Sequence, residues 1–219
     1  MTQIHLAGDS TVAPGPLDGS GVIGWGGVLY EMVEDPVRNW AVGGATTASF
    51  VAEGHWRALL QAVEAEDLVI IQFGHNDQKD PELAAEGGYR AHLERFVTEV
   101  RERRGVPVLV TSLERRLFAD GQLRVSHGPY PAVVRSLGRT LDVPVIDLNS
   151  FSRWLYSWLG PGRSADLFPH LDPRTARQDT THLGIAGART VAAYVAQCLR
   201  GIRGLDDDQE ALGTWLMQR

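Results

Sequence analysis

A single cysteine, Cys198, leaves this 219-residue chain without any possible internal disulfide. It falls in a helical apolar pattern with Val191, Tyr194, Val195 and Leu199, which predicts a core-facing thiol rather than a nucleophile. No apolar run approaches the ~20 residues needed to cross a bilayer. An excess of positive charge is missing as well: the formal charge is −6, and the densest basic cluster, over 101–104, is interrupted by Glu102 and preceded by Glu99. That balance argues against a nucleic-acid partner, which needs a basic stripe for phosphate neutralisation. The chain has no internal repeat and no low-complexity tract. Met1 leads directly into a strand with no room for a cleavable signal. A cytoplasmic location is therefore the expectation, with secretion the alternative for a chain whose leader has been removed.

With 43% hydrophobic and 22% charged residues, the composition is that of an ordinary globular protein able to bury a core without staples. Five near-continuous apolar segments read as strands: from Ile4, Pro36–Val42, Asp67–Phe73, Val106–Thr111 and Val143–Leu148. Helical spacing lies between them, over 25–33, 51–62, 89–104, 130–141 and 152–159, and a last long helix begins near Leu183. The segments 78–88, 114–128 and 160–178 read as loops. This alternation predicts an α/β fold with a five-stranded parallel sheet covered on both faces, in flavodoxin-like order. One domain over 1–204 is expected. An acidic tail over 205–219 follows, and its Trp215-Leu216-Met217 is suited either to dock as a short helix or to stay free.

Four short stretches carry candidate chemistry. Gly8-Asp9-Ser10-Thr11 follows the first strand, and Ser10 is its candidate nucleophile; the plain alternative is a helix N-cap. Gly43-Gly44 ends the second strand, and Gly74-His75-Asn76-Asp77 ends the third; either is readable as a simple turn. Asp179-Thr180-Thr181-His182 precedes the last helix, where a carboxylate three residues ahead of an imidazole can orient it, or merely cap the helix. Because ligands in an open parallel sheet bind beyond the carboxyl ends of the strands, Ser10, Gly44 and Asn76 should meet at one rim. A serine hydroxyl there needs a base and an orienting third group, which His182 and Asp179 supply. The Ser10 amide, the Gly44 amide and the Asn76 side-chain amide are candidate donors to an oxyanion.

In this order and spacing the four blocks resemble those of the SGNH (GDSL-type) hydrolases. Within that superfamily, Gly8-Asp9-Ser10-Thr11, Phe73-Gly74-His75-Asn76-Asp77 and the Asp-x-Thr-His ending are similar to the rhamnogalacturonan acetylesterase-like group. The resemblance implies a three-layer α/β/α sandwich and a serine esterase without metal or cofactor that removes acetyl groups from plant cell-wall sugars. It makes Ser10, Asp179 and His182 the catalytic triad, and Ser10, Gly44 and Asn76 the oxyanion hole. The chain departs from the pattern after the second block, where relatives carry Arg-Ser and this chain carries Ala45-Thr46-Thr47. Since arginine is a natural partner for an acidic galacturonate, the departure bears on the choice of sugar and leaves the acyl-transfer chemistry untouched.

Thr11, Trp25, His75 and Tyr89 are candidate substrate contacts, and Trp40 offers a further stacking face. Core packing is the alternative for Trp25, and a buried turn for His75. His127 and His170 lie in loops able to reach the rim. A metal site from Asp9, Asp77, Asp179 and His182 has no recognised ligand spacing behind it. The expected partner is an acetylated small molecule or oligosaccharide, with neither nucleic acid nor membrane. Rival readings are a lipid esterase or thioesterase on the same fold, and a non-catalytic flavodoxin-like binding module.

Overall fold

The computed structural model describes residues 2–15, 20–169 and 179–204. Five parallel strands form the sheet: β1 (Ile4–Gly8), β2 (Val37–Asn39), β3 (Leu68–Gln72), β4 (Val106–Val110) and, after a small hairpin, β7 (Val145–Ile146). Their order is β2-β1-β3-β4-β7, the expected flavodoxin-like arrangement with the chain reversing direction next to β1. β1 lies between β2 and the central strand β3, in register with β3 from Ile4↔Leu68 to Gly8↔Gln72.

The two-residue period of the strands divides the core. Ile4, Leu6, Leu68, Ile70, Val108 and Val110 face one cluster, completed by α5 (Leu148–Arg163) and α6 (Ile185–Ile202). Ala7, Val69, Ile71, Phe73 and Leu109 face the other. Four helices cover that second face: α1 (Thr47–Ala52), α2 (His55–Ala62), α3 (Arg90–Glu102) and α4 (Tyr130–Leu141). Three layers follow from strands apolar on both sides, each strand end then opening onto a loop at one rim.

Several expected elements differ. The helix expected over 25–33 is two 3-10 turns, Trp25–Gly27 and Leu29–Glu31, because Gly24 and Gly26 lie so close to the 12–13 backbone that no side chain fits. The helix expected over 51–62 starts earlier and is broken in two at Gly54, whose φ of +84° only glycine adopts easily. Thr46 starts α1 with a capping box: its side chain accepts from Ser49 N at 3.0 Å, and Ser49 Oγ accepts from Thr46 N at 3.0 Å. The 78–88 segment is a run of helical turns that buries Leu83 and Ala85. Within 114–128 lies the hairpin β5 (Phe118–Ala119) and β6 (Gln122–Leu123), turned by Asp120-Gly121. α5 begins at Leu148, capped by Asp147, and is kinked at Gly160, whose φ is +69°, so that a further short helical turn follows the expected end at 159. The 170–178 part of the last expected loop and the 205–219 tail lie outside the described residues. Among the described residues no helix is long and apolar enough to cross a membrane.

Candidate active site

Where β1 stops, Asp9 folds its carboxylate onto the next turn. Its Oδ1 accepts from Thr11 N at 2.9 Å and Thr11 Oγ1 at 2.8 Å, while its carbonyl accepts from Val12 N and Ala13 N. The turn leaves Ser10 partly exposed on the rim between two buried neighbours. Ser10 Oγ lies 3.0 Å from His182 Nε2, across 172 residues of sequence. On the far side of the ring, His182 Nδ1 lies 2.7 Å from Asp179 Oδ2. The other carboxylate oxygen, Oδ1, accepts from Thr181 N at 2.7 Å and His182 N at 2.8 Å. One aspartate thereby shapes the turn and aims the imidazole.

The charges follow from these bonds. Burial pushes the Asp179 carboxyl up, but the hydrogen bonds from the His182 ring and from the His182 and Thr181 amides hold it down at about 2. The hydrogen bond to Asp179 raises His182 above its ordinary value, against burial that lowers it. With Asp179 ionised, Nδ1 carries the ring proton and Nε2 presents its lone pair to Ser10 Oγ, so the ring can take the hydroxyl proton.

The cavity that His182 borders also carries unspent donors. Neither the Ser10 amide nor the Gly44 amide donates to another described residue. Gly44 has φ +79°, which turns the loop after β2 without a side chain in the way. Asn76 gives one amide hydrogen to Ala45 O at 3.0 Å, while its Oδ1 accepts from Lys79 Nζ at 2.9 Å, fixing which end of the amide faces the donors' side. Beneath this, Asp77 Oδ1 accepts from both Thr47 N (2.8 Å) and Thr47 Oγ1 (2.7 Å), tying the loop after β3 to the start of α1. Burial pushes the Asp77 carboxyl up despite those bonds. Ser10, Gly44, Asn76 and His182 all border one open cavity of about 830 Å³, together with Ala13, Val22 and Val42. Among the described residues, no group of three or more metal-ligating side chains is arranged to hold an ion.

Residues 6–190 match the GDSL-like lipase/acylhydrolase family. The chain belongs to that family. It is accordingly a carboxylic ester hydrolase. Over 204 residues this family member is 39% identical to the rhamnogalacturonan acetylesterase RhgT of Bacillus subtilis, covering 89% of this chain and 88% of the relative. It is 28% identical to the probable rhamnogalacturonan acetylesterase YesY of the same organism, with 90% and 92% covered. The resemblance to the acetylesterase-like group is thus borne out. Among solved structures, that of the Bacillus subtilis YxiM protein superposes with a TM-score of 0.80 at 26% identity; the match covers 94% of this chain but only 57% of YxiM. The acetylxylan esterase Axe2 of Geobacillus stearothermophilus shares the fold, with a TM-score of 0.62 at 18% identity over 90% of this chain and 93% of Axe2.

Against this family background, three expected substrate contacts are corrected. Thr11, Trp25 and Tyr89 are buried and border no part of the cavity. Gln72 joins two of them from inside the sheet: its Oε1 accepts from Trp25 Nε1 at 2.8 Å and its Nε2 donates to Thr11 Oγ1 at 2.5 Å. Tyr89 OH donates to Phe73 O at 3.0 Å. Each large or polar group is committed to the layer under the rim, so none can face a ligand. His75 does border the cavity, though only 2% exposed; its Nδ1 lies 3.4 Å from Asp9 Oδ2 and its ring meets that of His127 edge-on. His127 is a buried residue whose Nε2 bonds Leu113 O at 2.6 Å, which removes it from the rim. Trp40 Nε1 donates to His5 Nδ1, and Arg38 lies over its ring. His170 lies outside the described residues. Lys79 and Arg115 border the cavity and were not singled out by sequence. Lys79 had a usable signal, one helical turn after Asn76. Arg115, in a polar loop with no local pattern, had none.

Proposed function

We propose that this chain is a carbohydrate O-acetylesterase that works through an acetyl-enzyme intermediate. Ser10 Oγ attacks the acetyl carbonyl as His182 Nε2 takes its proton, and Asp179 steadies the imidazolium that forms. The tetrahedral oxyanion is met by the Ser10 amide, the Gly44 amide and the free hydrogen of Asn76 Nδ2. His182 then returns the proton to the sugar oxygen, which leaves as an alcohol. Water activated by the same imidazole attacks the acetyl-serine and releases acetate. The single observation that carries this reading is the unbroken chain Ser10 Oγ to His182 Nε2 at 3.0 Å and His182 Nδ1 to Asp179 Oδ2 at 2.7 Å, opening on the cavity. The acetylated carbohydrate is supported by what the relatives' names say they act on, rhamnogalacturonan and acetylxylan.

The test is acetate release from acetylated pectic and xylan oligosaccharides, with p-nitrophenyl acetate as the sugar-free reference. Ser10→Ala is expected to lower kcat on both by on the order of 10⁴-fold or more. Wild-type activity in that variant overturns the mechanism. A p-nitrophenyl ester series from acetyl to decanoyl separates the lipid reading: preference for acetyl supports the proposal, and preference for long chains overturns it.

A further inference from the structure

Below the rim, Asp9 and His75 face each other. Both are almost wholly buried, 0% and 2% exposed, and each stands one residue before a group placed in the reaction, Ser10 and Asn76. Asp9 Oδ1 accepts from Thr11 N and Thr11 Oγ1, which bends the chain around Ser10. Asp9 Oδ2 has no hydrogen-bond partner among the described residues, and His75 Nδ1 lies 3.4 Å from it. The His75 carbonyl accepts from Arg115 Nη2 at 3.2 Å, and its ring meets that of His127 edge-on at 4.5 Å. The imidazole is thus held against the carboxylate from two sides. Bonds continue inward from Thr11 Oγ1 to Gln72 and from Gln72 to Trp25. A buried polar row therefore runs from the sheet, past the nucleophile, to the turn that presents the Asn76 amide.

Two carboxylates are buried here, and their surroundings drive them apart. Burial pushes Asp9 up, but His75 and the Thr11 bonds hold it below its ordinary value. Burial pushes Asp77 up, the Thr47 bonds oppose this, and the neighbouring Asp9 adds to the rise. Asp9 is accordingly the one that keeps its negative charge. Of the other titratable groups that feel it, burial keeps Tyr89 and His127 neutral, and Arg115 is committed to the His75 carbonyl and the Gln78 side chain. The catalytic ring feels it too. The hydrogen bond from Asp179 raises His182 most and burial lowers it; the charge of Asp179 raises it again, joined by Asp9 from the turn after β1, against Lys79 from the turn after β3. When Ser10 gives its proton to Nε2 the ring becomes a cation, and a fixed anion close by lowers the cost of that charge.

We propose that Asp9 is a second carboxylate of the reaction centre: paired with His75, it locks the Ser10 turn to the Asn76 turn and steadies the positive charge that forms on His182. Asp9 borders no part of the cavity, so it acts on the ester through its neighbours. It is a positioning residue, and His75 acts through it. The proposal rests on the serine mechanism above.

The experiment is a pH series of kcat/KM for p-nitrophenyl acetate in the wild type, Asp9→Asn, His75→Leu and His75→Gln. Asparagine keeps the shape and still accepts from Thr11, but it carries no charge. Its midpoint is expected to fall by on the order of half a pH unit, less than that of Asp179→Asn, with kcat about tenfold lower and KM within about twofold. His75→Leu leaves Asp9 Oδ2 buried without a partner, so the carboxylate takes up a proton and the same fall in midpoint is expected. His75→Gln returns an N–H donor and should restore most of the midpoint and of kcat. A midpoint that stays at the wild-type value in Asp9→Asn overturns the proposal whatever happens to kcat, because a merely structural role lowers activity without moving it. Where that variant does not fold, His75→Leu decides by the same reading. A midpoint as low in His75→Gln as in His75→Leu overturns the pairing. Activity retained in Ser10→Ala removes the serine mechanism itself, so the two failures are told apart.

Discussion

The two halves of the active site are built in opposite ways. On one side, Asp179 and His182 lie three residues apart in a single turn, each about a third exposed, and the Asp179 carboxylate accepts from the Thr181 and His182 amides and the His182 ring, with Arg116 N to Thr180 O as a tie from outside. On the other, the proposed oxyanion cradle is assembled from the ends of β1, β2 and β3 and rests on long-range bonds, Asn76 to Ala45 and Thr47 to the buried Asp77. A local unit can tolerate movement of its surroundings, because its geometry travels with it. The cradle has no such independence: its donors stay aligned only while three loops stay mutually fixed, and preorganised donors are worth most when they need no rearrangement.

Breaking the local half should have the larger effect. Asp179→Asn removes the carboxylate that fixes the tautomer, and kcat is expected to fall about 10³- to 10⁴-fold. The pH profile sharpens the point. Asp179 raises His182, and the imidazole acts as a base only when neutral, so activity of the wild type should rise with pH through a midpoint above the ordinary value of 6.5. In the asparagine variant that midpoint should move to lower pH while the plateau drops. A pH series of kcat/KM with p-nitrophenyl acetate reads both, and an unmoved midpoint contradicts the assignment. In the cradle, Asn76→Ala removes one donor among three, and a loss of about 10²- to 10³-fold in kcat with little change in KM is expected. A loss as large as that of Asp179→Asn breaks the comparison.

The same difference explains what the sequence made legible. The strands were readable because parallel strands buried on both faces are continuous apolar runs, and their order followed from the limited set of right-handed crossovers. Asp179 and His182 were readable because their interaction is written within four residues. Ser10, Gly44 and Asn76 were found through topology, since each lies just past a strand end. The Thr47–Asp77 bond was not readable: thirty residues separate the partners, and neither position carries a local pattern. Trp25 and Tyr89 were misplaced for a related reason. An aromatic near a motif looks available to a ligand until the layer beneath it is seen, and here Gln72 and the Phe73 carbonyl already occupy its polar end. The helix break at Gly54 depended on a positive φ and that at Gly26 on close backbone approach, and apolar spacing encodes neither.

Thr47→Val probes the long-range half without touching a reacting group. Valine keeps the shape and the backbone donor but deletes the hydroxyl that bonds Asp77 Oδ1 at 2.7 Å, and Asp77 Oδ2 already lacks a partner. Leaving a buried carboxylate less satisfied costs about 1–3 kcal/mol, readable as a lower midpoint in urea unfolding. Because both loops shift with it, kcat is expected to fall about tenfold while the pH midpoint set by Asp179 stays fixed. Loss of stability with unchanged kcat would mean that the bond holds the fold but not the cradle.

The smallest effect concerns a histidine that the site does not use. His127 is buried against the Leu113 carbonyl, and burial together with the neighbouring His75 lowers it to about 3, whereas His182, beside a carboxylate, is raised. The two imidazoles therefore contribute to the pH dependence of folding with opposite sign. A group held below its unfolded value stabilises the fold fully above that value, near 6.5, and loses its contribution as pH falls towards about 3, since the unfolded chain takes up the proton first. Unfolding free energies from urea titrations between pH 4 and 7 should accordingly rise with pH. His127→Gln should lower that slope by up to about 1.4 kcal/mol per pH unit, the limit for one proton. His182→Gln should change it in the other direction. An equal response from the two variants would mean that depth alone sets their charge, and that the carboxylate of Asp179 adds nothing.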